Sequence, residues 1–299
     1  MNLYTKKWFI AGAYLVTIGV VIFAAVLTAY RWNFSRLSTG SYETNTYEIS
    51  EKFSSIEMNT ETADVHFEAS SGNKCKVVCY EQKNLKHTVA VKNGTLTVNS
   101  EDTRKWYDHI GINLSSPKVT VYLPESEYTA LSITGSTGEI DIAEKLKFDS
   151  AAVFVSTGEM NISNISAGTI NLSASTGDIN VSDVSCEGDI KINVSTGKVK
   201  MMNVTCQNLI SNGSTGDIDL KSVKAAEKLS VERSTGGVDF KDSDAAEIFV
   251  KTSTGNVTGS FPAEKVFVTE TSTGSVNVPK TKTGGRCEIV TSTGDITIR

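Results

Sequence analysis

Groups that carry out chemistry are scarce in this chain. Its 299 residues include three histidines, His66, His87 and His109, and five cysteines, with no metal-ligand spacing from any histidine to a cysteine or to another histidine. No nucleophile elbow, phosphate-binding glycine loop or zinc-binding helix motif is present. Five thiols in a chain of this length do not make a disulfide framework. A basic excess is missing too. There are 29 Lys and Arg against 34 Asp and Glu, which argues against nucleic acid as a partner and against lying flat on anionic lipid. We therefore expect no catalysis, no cofactor and no metal, and turn to what the sequence does contain.

One long apolar run is present. Trp8 to Tyr30 is free of charge, and its 23 residues span about 34 Å as a helix, enough to cross a bilayer core. Lys6 and Lys7 precede it, and Trp8, Tyr30 and Trp32 stand at its ends as interfacial anchors would. The run is too long for a signal-peptide core. The best cleavage point, after Ala29, also places the bulky Leu27 where a small residue is needed. The expectation is an uncleaved single-pass anchor over 8–30 in the cell membrane. A short tail, 1–7, lies inside, a polar linker covers 31–45, and the C-terminal part is extracytoplasmic. Arg31 and Arg36 follow the span closely, so the orientation rests on the shortness of the N-terminal tail.

Beyond the linker the dominant feature is a repeat. Ser-Thr-Gly recurs nine times at intervals of 19 or 20 residues, with glycines at Gly138, Gly158, Gly177, Gly197, Gly216, Gly236, Gly255, Gly274 and Gly294. Such a period marks a solenoid, one turn per repeat, over 131–299. Two and four residues after the glycine the positions are apolar, as in Ile140/Ile142, Ile179/Val181 and Val238/Phe240, and the residues between them are polar. Apolar positions also recur seven, five and three residues before it, as in Ile190/Ile192/Val194. Each turn therefore reads as two strands meeting at a corner whose glycine takes a conformation that side chains resist. Ser and Thr hydroxyls are positioned to satisfy corner N–H groups and to form a ladder. The 19-versus-20 alternation is assigned to a second, variable corner such as Ala143-Glu144-Lys145 or Lys241-Asp242-Ser243. Nine rungs at about 4.8 Å spacing give a rod on the order of 40 Å long.

The turns differ in informative ways. Lys198 and Lys200 fall between turns carrying Asp178/Asn180 and Asp217/Asp219, which predicts cross-rung charge pairing. Arg233, Thr252, Thr271 and Thr291 place polar groups in an inward column, predicting poorer packing toward the C-terminus. Cys186 and Cys206 occupy equivalent positions in successive turns, close enough for a bridge but more in keeping with two free buried thiols. Cys75 and Cys79 lie too far apart along one strand to bond each other.

The region 46–130 lacks the exact triplet. Ile56 to Phe67 nevertheless aligns position for position with Leu131 to Ile142, Glu-Thr-Ala replacing Ser-Thr-Gly. Val89 to Val98 reads either as a second degenerate rung or as a hairpin turning at Asn93-Gly94, and Ser100 to Gly111 as a loop. Together they would cap the open solenoid end. Ser38-Thr39-Gly40 lacks flanking alternation and is taken as chance.

The run Lys118-Val-Thr-Val-Tyr-Leu-Pro124, then Tyr128 to Ile142, with the Ile56 to Phe67 and Asn93 to Val98 segments, resembles the bacterial "putative adhesin" family of unknown function. The resemblance implies a membrane-anchored envelope protein with a β-strand-repeat ectodomain and brings no catalytic residues with it.

The fold class is thus all-β, a parallel β-solenoid of about nine regular rungs with degenerate N-terminal rungs or cap, preceded by one transmembrane helix. The acidic and Asn columns read as a solvated face, because the calcium-binding solenoids use a different nonapeptide. Arg233 and Arg286 stand alone and do not make a polysaccharide-cleaving groove. Adjacent Ser and Thr point different ways, unlike an ice-binding array. Asn-x-Ser/Thr sequons follow automatically from the alternation. The functional expectation is a binding or scaffold protein whose partner is an envelope protein or surface polymer. Two alternatives remain: a structural protein polymerising end to end through an exposed Asp295 to Arg299 rung, or a regulatory partner in envelope-stress signalling.

Overall fold

A computed structural model of the chain describes residues 3–29, 31, 41–70, 72, 74–106 and 115–299. His109, the Ser38-Thr39-Gly40 triplet, most of the linker and residues 107–111 of the expected loop lie outside the described residues, while Ser100 to Asp102 of that loop are strand. Helix α1 (Leu3–Ala29) contains Lys6–Ala29, mean hydropathy 2.5, long and apolar enough to cross a membrane. The other regular elements among the described residues are strands, apart from a single 3₁₀ position at Trp106.

The regular stack runs through β8 (Glu127–Thr137), β9 (Ile140–Ile142), β10 (Leu146–Thr157), β11 (Met160–Ser163), β12 (Ile165–Thr176), β13 (Ile179–Cys186), β14 (Asp189–Thr196), β15 (Val199–Thr215), β16 (Ile218–Thr235), β17 (Val238–Lys241), β18 (Asp244–Thr254) and β19 (Val257–Gly259). Equivalent residues of successive turns pair in parallel register: Ile170 with Ile190, Leu172 with Ile192, Thr176 with Thr196. The inward columns are buried and form one continuous core along the solenoid.

Each turn has three sides where the sequence suggested two strands. In the Gly177 turn, Ile179/Val181, then Val184/Cys186, then Ile190/Ile192/Val194 face the core. A left-handed residue separates the first two sides, Asp183 here and Asn164, Asn203, Ser222 and Asp242 in neighbouring turns, with φ of 53–54°. Asn and Asp tolerate that conformation best among side-chain-bearing residues. This second corner is regular after the first turn, so it does not absorb the variable spacing. The extra residue sits at the third corner. Partners shift by one position between Ala167↔Cys186 and Ile170↔Ile190, and the register breaks again at Cys206/Asn208 and at Ala225/Lys228. Only in the first turn does the extra residue fall at Ala143-Glu144-Lys145, since Ile142 pairs with Ile162 but Leu146 with Ile165.

At the N-terminal end, β2 (Ser55–Thr60) and β3 (Asp64–Ala69) stack as a true rung, Ile56 on Leu131 and Phe67 on Ile142. One layer further, β6 (Thr95–Asp102) pairs with β2 and β7 (Lys118–Leu123) with β3, still parallel. Then the direction reverses. β5 (Leu85–Lys92) runs antiparallel on β6, β4 (Cys75–Gln82) antiparallel on β7, and β1 (Tyr42–Ile49) antiparallel on β4. Val89 to Val98 is the hairpin, not a rung: Lys92 pairs with Thr95 around Asn93 (φ 50°) and Gly94 (φ 76°), the backbone a two-residue primed turn requires.

The C-terminal end departs from sequence order. β20 (Lys265–Thr273) and β21 (Val276–Asn277) do not stack on β18 and β19. β22 (Gly285–Thr293) and β23 (Ile296–Ile298) do, and β20 and β21 pair on their far side. The outermost rung is therefore the Gly274 turn, and the Asp295 to Arg299 segment is the penultimate layer rather than the exposed end. Phe261 bridges the end of the core, its ring centroid 5.2 Å from Phe240 and 6.2 Å from Phe267.

Candidate functional site

The nine triplet glycines line one edge of the solenoid, with φ from 132° to 158°. Each approaches its neighbour closely. A Cβ on Gly158 would overlap the Gly138 carbonyl, and one on Gly197 the Gly177 carbonyl. Each glycine N–H from Gly158 to Gly236 donates to the threonine carbonyl of the next triplet at 2.9 Å. Glycine is needed here for both backbone angle and contact distance.

The corner N–H groups are satisfied differently from expectation. The residue after the glycine does it: Asp178 Oδ1 accepts from the Lys198 N–H (2.8 Å), Asp217 Oδ1 from Gly237 N–H (3.0 Å), and Asp295 Oδ1 from Ser275 N–H (2.7 Å). The triplet hydroxyls are exposed and, among the described residues, form no ladder with one another. Threonines three residues before the glycine take an inward role instead. Thr252 Oγ1 donates to the Gly236 carbonyl and Thr291 Oγ1 to that of Gly255, each at 3.2 Å, and both are buried. These two threonines are thus hydrogen-bonded, which offsets their burial, whereas the buried Thr60 of the same column leaves its Oγ1 without a partner. Arg233 is less well matched. It fills space opposite Gly213 and donates to Ser211 Oγ (3.1 Å), but its Nε has no partner, and burial pushes its guanidinium down to about 10.

Outside, Asn180 Nδ2 donates to Asn161 Oδ1 (2.8 Å) and Glu159 Oε1 (2.7 Å). Lys198 Nζ lies 3.4 Å from Asp217, while Lys200, in register between Asn180 and Asp219, has no ion pair among the described residues. Such exposed pairs contribute little energy, and they converge on no cleft. At the C-terminal tip, β20 and β21 have no strand on their outer side among the described residues, and Val266, Val268 and Val276 are 36 %, 46 % and 45 % exposed. An unpaired strand with exposed β-branched side chains is a template for another chain. By contrast, the edge strands at the other end carry ion-paired charge, Lys86 of β5 on Glu43 of β1 at 2.6 Å.

The cap hides a polar cluster that sequence spacing did not suggest. Cys79, Glu81 and His87 are 0 %, 0 % and 3 % exposed. Glu81 Oε2 accepts from the His87 N–H (2.6 Å) and faces His87 Nδ1 at 2.7 Å, and Glu81 Oε1 accepts from Asn45 Nδ2 (2.7 Å). Burial, with the Glu81 carboxylate beside it, pushes the Cys79 thiol up to about 12. His66, the other described histidine, is partly exposed, 3.5 Å from Asp141 on the adjacent rung. All five cysteines are free and buried, Cys186 and Cys206 among them.

A family model described as Toastrack DUF4097 matches residues 53–299. No curated protein matches the chain. Among solved structures, a "putative lipid binding protein" from Parabacteroides distasonis ATCC 8503 is similar with a TM-score of 0.57 and 15 % identity, covering 88 % of this chain and 98 % of that one. A "putative adhesin" from the same organism gives a TM-score of 0.53 at 12 % identity, covering 87 % and 98 %. At these identities the likeness is one of fold.

Proposed function

For a chain that belongs to the Toastrack DUF4097 family, we propose a binding role: a single-pass, membrane-anchored envelope protein that holds a β-solenoid outside the cytoplasm and engages its partner at the free tip. The observation that carries this reading is the asymmetry of the two ends. The chain enters the solenoid through antiparallel, charge-bearing strands, whereas the opposite end finishes on the bare edge of β20 and β21 with three exposed valines. Strand addition to such an edge supplies backbone hydrogen bonds, and alternate side chains supply selectivity. α1 supplies the anchor. The corner glycines serve winding, and no catalytic step is assigned to any residue.

The asymmetry also limits the structural alternative. End-to-end polymerisation needs two complementary open ends, and only one end here finishes on an uncapped rung; self-association would stop at a tip-to-tip pair.

The test places a photocrosslinking residue at position 268 or at position 200 in the full-length chain in cells. Crosslinks to an envelope component are expected from 268 and not from 200, and Val266→Lys is expected to abolish those from 268 while the protein still reaches the membrane. Crosslinks from 200 alone, or crosslinks from 268 that ignore Val266→Lys, would overturn the tip reading.

A further inference from the structure

We propose that Cys79, Glu81 and His87 form a zinc-class metal site inside the N-terminal cap. One ligand atom from each, the Cys79 sulfur, a Glu81 carboxylate oxygen and a His87 ring nitrogen, lie within 4.8 Å of one another. A single cation draws such donors in to about 2.3 Å for sulfur and about 2.0–2.2 Å for nitrogen or oxygen. A mixed thiol, imidazole and carboxylate set suits zinc better than calcium or magnesium, which require oxygen donors throughout.

The second observation is His87 Nε2, a buried ring nitrogen with no hydrogen-bond partner. Buried polar atoms are nearly always paired, so this imidazole is incompletely satisfied by protein groups; the nitrogen that can share a cation with Glu81 is Nδ1, which already faces its carboxylate, while Nε2 points to the opposite side of the ring. The rest of the imidazole is fixed: Nδ1 faces Glu81, and the backbone around His87 is held by Glu81 on its N–H and by Tyr47 Oη on its carbonyl at 3.0 Å. Asn45 Nδ2 holds the other carboxylate oxygen, the outer-sphere support that orients metal ligands. The ordinary reading, a hydrogen-bonded core trio, accounts for Glu81 and His87 Nδ1 but leaves the buried thiol without a role.

The location gives the site a purpose. Cys79 and Glu81 lie on β4, in the β1–β4–β7 flank, and His87 lies on β5, which pairs with β6 in the other flank. Among the described residues the two flanks share one strand pairing, Gln82↔Leu85, beside the side-chain links of Glu81 and Tyr47 to His87 and of Glu43 to Lys86. A cation there clips the two sides of the cap where they diverge. Binding displaces the Cys79 thiol proton, so a zinc charge must replace the apolar surroundings as the dominant influence on the sulfur.

The full-length protein in detergent, unfolded and refolded with Co²⁺ or Zn²⁺ so that the buried site can load, provides the test. Co²⁺ is expected to give a thiolate charge-transfer band at one equivalent per chain, and Zn²⁺ to raise the unfolding midpoint relative to chelator-treated protein. Cys79→Ser should abolish the band and His87→Gln should weaken uptake at least tenfold, while Cys186→Ser leaves both unchanged. Absence of the band from wild-type protein, or a midpoint that Zn²⁺ does not move, overturns the proposal even if a variant fails to fold. A band that survives Cys79→Ser but vanishes with another cysteine overturns it as well.

Discussion

The middle of the solenoid and its two ends solve the same problem with different means. Between Gly138 and Gly255 every turn finds its mirror above and below, so a hydrogen bond, an apolar contact or a capping aspartate is repeated by position. At the ends there is no such neighbour, and each position must be settled individually. The N-terminal end reverses strand direction and places paired charges on its edges, while the C-terminal end interleaves its last two turns and lays Phe261 over the core. Repetition makes the middle robust as a pattern and intolerant as a contact. A side chain that breaks one layer breaks it against two.

The largest expected break in that comparison is at glycine. Gly197 and Gly94 both have positive φ, 150° and 76°, but a Cβ on Gly197 meets the Gly177 backbone and one on Gly94 meets open space. Gly197→Ala should cost more than about 4 kcal/mol, an exceptional loss reserved for real steric conflict, and Gly94→Ala about 1 kcal/mol for the left-handed backbone alone. Thermal melts of the two variants separate contact from conformation, and equal losses would make crowding irrelevant. Aromatic truncation comes next. Phe240→Ala, in the fully buried stack, is expected to cost about 4 kcal/mol, and Phe261→Ala, half-buried at the tip, about 2 kcal/mol. A larger loss at Phe261 would show that the end, not the stack, limits stability.

The smallest effect reverses sign. Arg233→Met removes a buried guanidinium with no carboxylate partner among the described residues and should stabilise by about 1 kcal/mol, as replacement of buried charge by packed apolar groups often does. Its folded pKa, about 10, lies below the ordinary arginine value, so the folded state releases this proton first. The burial penalty is complete at neutral pH and relaxes as pH rises past 10. Wild type should therefore gain on Arg233→Met in alkaline solution, measured as the difference in unfolding midpoint at pH 7 and pH 10.5. A gap that widens with pH contradicts the buried-charge account.

Much of this was legible in the residues. The triplet period gave the solenoid, and the columns at Ile140/Ile142 and Ile190/Ile192/Val194 gave two of its sides. The third side escaped because alternation slips at the left-handed corner: after Ile179 and Val181 the next inward residues are Val184 and Cys186, an odd step that strict period-2 reading rejects. The role of Asp178 and Asp217 was hidden for a similar reason. They sit where a solvated outward residue is expected, and only the adjacent layer supplies the N–H they accept from. Cys79 and Glu81 share a strand face by simple alternation, but the approach of His87 required the tight Gln82↔Leu85 turn and the covering β1 strand to be seen in place.

What the sequence determined alone is what strict local periodicity sets: that the chain winds, where the glycine corner falls, which side chains of the two strands flanking it face inward, and that one helix is apolar enough for a bilayer. Those properties depend on spacing within a single turn. The tertiary structure decided which turn lies next to which. All rungs present nearly equivalent edges, so local sequence gives no preference between stacking the Gly274 or the Gly294 turn on the Gly255 turn. The choice falls to contacts made only once in the molecule, at Phe261 and at the cap, where no repeat exists to predict them.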